Sequence, residues 1–153
     1  MKKLLFIFTL LFVGSLSAQT QQNDPKQDKS ITPLMHATVN NDLLTVTKLV
    51  IEGATVNAQS DEGTTALMYA SLNDYAEIIE FLLNNEAKIN MTDKVSGATA
   101  LIWASTADSL NAAKKLMQRN ANKNIVDKYN KTAIDYARSD EMQKILSPGP
   151  KKI

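Results

Sequence analysis

One hexapeptide pattern returns four times along the chain. It reads Thr-Pro-Leu-Met-His-Ala at 32–37, Thr-Ala-Leu-Met-Tyr-Ala at 65–70, Thr-Ala-Leu-Ile-Trp-Ala at 99–104 and Thr-Ala-Ile-Asp-Tyr-Ala at 132–137, at steps of 33, 34 and 33 residues. A period in this range marks stacked helical hairpins, in which no unit buries its apolar face alone and its neighbours supply the rest of the core. The pattern predicts an all-α repeat solenoid of stacked helix-turn-helix units with projecting hairpin fingers. It should occupy residues 30–147 as four repeats, at about 30–59, 60–92, 93–126 and 127–147.

The residues within each copy give this reading its physical content. Thr32, Thr65, Thr99 and Thr132 stand where a hydroxyl can accept from an amide that lacks an intrahelical partner. Pro33 follows the first of them, at the helix position proline favours. Leu34 and Ala37, and their counterparts Leu67 and Ala70, Leu101 and Ala104, Ile134 and Ala137, lie three apart and so on one predicted core face. Second helices follow through Leu43, Val46, Leu49 and Val50, then Ala76, Ile79, Leu82 and Leu83, then Leu110, Ala113, Leu116 and Met117, with outer faces expected to be charged. Left-handed residues are wanted after these helices at Gly53, Glu86 and Asn120, and in the fingers at Gly63, Gly97 and Asn130. The extra residue of the 34-residue step lies within 92–97, where it lengthens a finger and leaves helix packing alone.

The ends differ from the repeats. Lys2 and Lys3, the apolar run Leu4–Val13 and the small residues up to Ala18 predict a secretory signal peptide over 1–18. That run is shorter than the roughly 20 apolar residues a membrane span needs. Residues 19–29 are expected to be a disordered linker and 148–153 a flexible tail. Without cysteine there is neither a lipidation site nor a disulfide framework, so the processed chain is expected in the periplasm or secreted. The formal net charge of +1 becomes −1 once Lys2 and Lys3 leave, which argues against a nucleic-acid partner.

Thr-Pro-Leu followed by Ala, Gly-Ala-Thr-Val-Asn-Ala at 53–58 and Asp-Glu-Gly-Thr-Thr at 61–65 together resemble the ankyrin repeat. The resemblance implies helices forming an arm, fingers projecting from it, and protein partners bound at finger tips and first-helix ends. The family's usual His after Thr-Pro-Leu is replaced here by Met35, Met68, Ile102 and Asp135, so the hydrogen bonds it makes are expected to be missing. The last unit is read as a shortened cap.

Candidate binding residues follow from place and composition. At the fingers they are Ile31, Asp61, Glu62, Val95, Lys128, Tyr129 and Lys131; at the helix ends, Val39 and Leu72. Several are apolar where folding does not ask for it. A ring recurs in phase at His36, Tyr69, Trp103 and Tyr136, either as packing between repeats or as a contact strip, and Trp103 joins the candidates because tryptophan is enriched in binding hot spots.

Catalysis finds little support. His36 is the one histidine, no G-x-S-x-G occurs, and Glu77 and Glu80 belong on a solvated helix face. No catalytic residue, metal or cofactor is expected. The reading is a monomeric, non-catalytic protein-binding module of the bacterial envelope, which binds a protein partner through its hairpin fingers and concave helix face. Its alternatives are an inhibitor or immunity protein for an exported enzyme, or a secreted effector that binds a host protein.

Overall fold

The computed structural model describes residues 31–147; the expected signal peptide, linker and tail lie outside them. Three helical hairpins follow one another: α1 (Pro33–Val39) with α2 (Leu43–Ile51), α3 (Ala66–Leu72) with α4 (Ala76–Asn84), and α5 (Ala100–Thr106) with α6 (Leu110–Gln118). A fourth unit closes the stack with a single 3-10 turn, Ala133–Tyr136, and α7 (Asp140–Leu146). First helices pack on first helices and second on second, so one core runs the length of an all-α solenoid.

The capping threonines act as the pattern requires. Thr32, Thr65 and Thr99 accept at Oγ1 from the amides of Met35, Met68 and Ile102, at 3.2, 3.3 and 3.3 Å. The hydrogen bonds expected to be lost with the family's histidine are in part replaced. Met35 Sδ accepts from the Thr32 amide at 3.5 Å and Met68 Sδ from the Thr65 amide at 3.4 Å, a thioether serving as a weak acceptor. In the fourth unit Asp135 Oδ2 accepts from both the amide and the hydroxyl of Thr132, at 2.8 and 2.7 Å.

Positive φ marks each hairpin in register. After the second helices it falls at Gly53, Glu86 and Asn120, with φ of 93°, 65° and 61°; in the fingers it falls at Gly63, Gly97 and Asn130. A third series, Asn41, Asp74 and Asp108, turns each first helix into its second. Short polar side chains tolerate this conformation best, which is why Asn and Asp hold these places. Gly63 answers a second constraint as well, since a Cβ there would lie 2.6 Å from the Lys94 amide nitrogen of the next finger.

The core is drawn from many of the expected apolar positions together with others, among them Met35, Met68, Ile78, Ile102, Ala112 and Met142, all buried. Two expectations fail. Ile134 is 41% exposed, because a one-turn 3-10 segment does not carry it round to the core face. The outer side of α2 is not charged throughout: Leu44 and Ile51, seven residues apart on one stripe, are 82% and 78% exposed. Their counterparts in the later repeats are Glu77 and Asn84, then Asn111 and Gln118.

Polar contacts also cross between repeats. Neither α4 nor α6 is capped by its own N-cap side chain. For α6 the preceding repeat supplies the cap, Asp74 accepting from the Ala112 amide at 2.7 Å and from Asn111 Nδ2 at 2.8 Å. Ser109 Oγ donates back to the Leu72 carbonyl at 2.9 Å.

Leu82 is fully buried in a central repeat, so Leu82→Ala should cost about 2–4 kcal/mol through the cavity it leaves. Leu44→Ala, on the open outer stripe, should stay within about 0.5 kcal/mol. Urea unfolding of the two variants measures the contrast.

Candidate functional site

Each finger begins at a position held by Ser60, Asp93 or Asp127, five or six residues ahead of a capping threonine. All three are buried. Their side chains fold the finger by accepting from its amides. Ser60 Oγ accepts from the Thr64 amide at 3.0 Å, and Asp93 from the Ser96 and Ala98 amides at 2.6 and 3.1 Å. Asp127 accepts from the Tyr129 and Lys131 amides at 2.8 and 3.0 Å.

The same two aspartates hold the rings of the following first helices. Trp103 Nε1 donates to Asp93 Oδ2 at 3.1 Å, and the Tyr136 hydroxyl donates to Asp127 Oδ2 at 2.5 Å. One carboxylate thereby fixes both a finger and a ring. Tyr69 and Trp103 meet edge to face, with centroids 6.2 Å apart and planes at 79°, and Lys131 Nζ lies 5.3 Å from the Tyr136 ring centre. The rings at 36, 69, 103 and 136 are half-buried, and those of Tyr69, Trp103 and Tyr136 pack against the core.

Burial pushes the Asp93 and Asp127 carboxyls up, but the hydrogen bonds they accept outweigh it and leave both below the usual 3.8. For Asp93 these donors are Ser96, Trp103 and Ala98; for Asp127 they are Tyr136, Lys131 and Tyr129, with the Lys131 charge adding to them. The Tyr136 hydroxyl, held by that carboxylate, is pushed up to about 12. At neutral pH both aspartates are ionised and Tyr136 is a donor.

Between Trp103 and Tyr136 lies a groove of about 260 Å³, lined by Leu72, Ser96, Ala98, Ile102, Trp103, Thr106, Asp127 and Tyr136. Its wall is mostly apolar, and Asp127 is the one ionisable carboxylate residue among those that line it. Leu72 and Trp103 are the two predicted residues that it brings together. Val95 and Tyr129 stand on finger tips, 65% and 71% exposed. Asp61 and Glu62 are exposed on the finger that begins at Ser60, where their carbonyls accept from Lys94 Nζ at 3.4 Å and the Lys94 amide at 2.8 Å.

Other candidates sit apart from the groove or already have partners. Lys128 Nζ donates to the Val95 carbonyl at 3.0 Å and to that of Lys94, joining two fingers. Ile31 is half-buried against the core, and Val39, 40% exposed, ends the first helix. Thr64 and Ala98, which finger positions would leave free of packing, are buried.

Sequence reasoning passed over Asp93 and Asp127, although an acidic residue or serine in phase ahead of Thr65, Thr99 and Thr132 was a legible signal. Among the described residues no three His, Asp or Glu side chains gather as a metal site. Nor is any described helix long and apolar enough to cross a membrane.

The geometry agrees with the comparison to known families. The family model for ankyrin repeats in three copies matches residues 3–93, and that for a single ankyrin repeat matches 96–128. The chain belongs to the ankyrin-repeat family. It carries about four repeats, and such repeats generally serve as protein–protein interaction modules. In this ankyrin chain the paired aspartates give the fingers and the ring ladder a common anchor.

That anchor has a pH signature. A carboxyl whose folded pKa is depressed adds stability above its unfolded value, and the contribution is lost as pH falls through the folded value. Thermal melts should therefore show stability falling most steeply below about pH 4. Asp93→Asn should be less stable at pH 7 and show a shallower acid loss.

Proposed function

We propose that this ankyrin chain is a non-catalytic protein-binding module exported to the bacterial envelope, periplasmic or secreted, which engages a protein partner through its finger tips and the groove beside them. The observation that carries this reading is the groove at Leu72, Ile102 and Trp103. Beyond it the neighbouring fingers hold Val95 and Tyr129 in solvent, where packing has no use for them. An apolar centre with a polar surround is the composition of a binding patch.

The fingers are tied to one another before any partner arrives. The Lys94 amide donates to the Glu62 carbonyl and the Lys128 amide to the Ser96 carbonyl, both at 2.8 Å. A surface preorganised in this way loses little entropy on binding. Export rests on Lys2, Lys3 and the apolar run to Val13. Asp140, Glu141, Gln143 and Lys144 give the closing helix an exposed polar side, which supports a monomer.

Crosslinking capture from envelope extract tests the reading. The unmodified chain should retain a partner that the double variant Leu72→Asp, Tyr129→Asp loses by at least about tenfold, the effect of losing an interface anchor. Equal capture by both chains would remove the groove and fingers from the account. Intact-mass analysis of the chain recovered from cells should place its first residue at Gln19, and a retained Met1 in all of it would contradict export.

A further inference from the structure

Asp93 and Asp127 occupy equivalent places, yet their hydrogen-bonding capacity is used differently. A carboxylate offers about four acceptor positions, two on each oxygen. Asp93 Oδ2 accepts from the Ser96 hydroxyl, the Ala98 amide and Trp103 Nε1, at 2.7, 3.1 and 3.1 Å, and is saturated. Asp127 spends Oδ1 on the Tyr129 and Lys131 amides, while among the described residues Oδ2 receives the Tyr136 hydroxyl. One acceptor position on Asp127 is thus unused, and Asp127 lines the groove.

The space beside it has a definite size and chemistry. At about 260 Å³ the groove falls below the roughly 300 Å³ at which small-molecule sites begin, and it suits one large side chain. Leu72 and Ile102 offer apolar contact, and Trp103 and Tyr136 line it with rings. The molecule already uses one arrangement twice: an amphipathic ring lies against apolar wall while its polar tip donates to a finger carboxylate. A positively charged tip is disfavoured, since Lys131 already stands over the Tyr136 ring.

Resting on the binding function proposed above, we infer that the groove is a pocket for one aromatic side chain with a donor tip, a tyrosine or tryptophan of the partner. Its ring continues the ladder between Trp103 and Tyr136, and its O–H or N–H takes the open position on Asp127 Oδ2. Rings of this kind combine large apolar area with a polar handle, which is why they anchor interfaces.

Trp103 is the sole tryptophan, so its indole N–H gives one resolved signal at the pocket in a proton–nitrogen spectrum. The probes are two end-blocked pentapeptides, Gly-Ser-Tyr-Ser-Gly and Gly-Ser-Phe-Ser-Gly, titrated into the full chain. The tyrosine peptide should shift the Trp103 indole and the Leu72 and Thr106 amides. It should bind about tenfold more tightly than the phenylalanine peptide, the worth of one hydrogen bond to a charged acceptor. Leu72→Asp, which leaves the finger carboxylates untouched, should abolish the shifts while the rest of the spectrum stays folded. Equal affinity for the two peptides would overturn the inference. So would shifts confined to a second groove, on the second helices, whose lining includes Leu43, Phe81 and Lys115, or none up to the peptide's solubility. If the inference fails while Leu72→Asp with Tyr129→Asp still loses the envelope partner, the binding function stands and the aromatic anchor alone is withdrawn.

Discussion

No repeat in this chain closes its own core. Leu82, Leu116, Ile78 and Ala112 are fully buried, in helices that pack on the second helices of both neighbouring repeats. The polar network obeys the same dependence, since α6 begins on a cap supplied by Asp74 of the repeat before it. Stability in such a stack is a sum of units and of the interfaces between them. Everything on the binding side inherits its position from those interfaces, including the spacing of fingers and the phase of the rings.

On that scaffold the finger aspartates divide their work. Each carboxylate folds its finger by taking two of its amides and also holds the ring of the next repeat; Asp127 splits these tasks between its two oxygens, whereas Asp93 takes the Ala98 amide and the Trp103 ring on the same Oδ2. The loops that project toward a partner are therefore not independent of the arm behind them. A surface assembled in this way can present apolar side chains such as Val95 and Tyr129 to water at no cost to the core. Natural folds place recognition residues on loops held by a rigid frame for the same reason.

The period, the capping threonines, the core faces and two series of left-handed residues were legible in the sequence, because each rests on a local rule repeated in phase. What escaped required knowledge of neighbours. Ile134 matched the core pattern, but the shortened last unit forms only a 3-10 turn and leaves it exposed. Met35 and Met68 looked like the loss of an acceptor until their sulfurs were seen to close the helix starts. At the site, Leu72 and Trp103 are read from helix ends and ring phase, whereas Asp93 and Asp127 are not singled out by the sequence analysis. Their phase was legible, but the ring contacts nine or ten residues along the chain that give them their importance were not.

Because the chain has no cysteine, a single introduced thiol can carry a photocrosslinker to one chosen spot. Ser96→Cys at the groove and Gln118→Cys on the outer side of α6, each labelled and returned to the native envelope, test the central claim directly. The account predicts an adduct of one defined mass from position 96 and none from position 118. An adduct formed at 118, or equally at both, would place the binding surface on the wrong side of the stack.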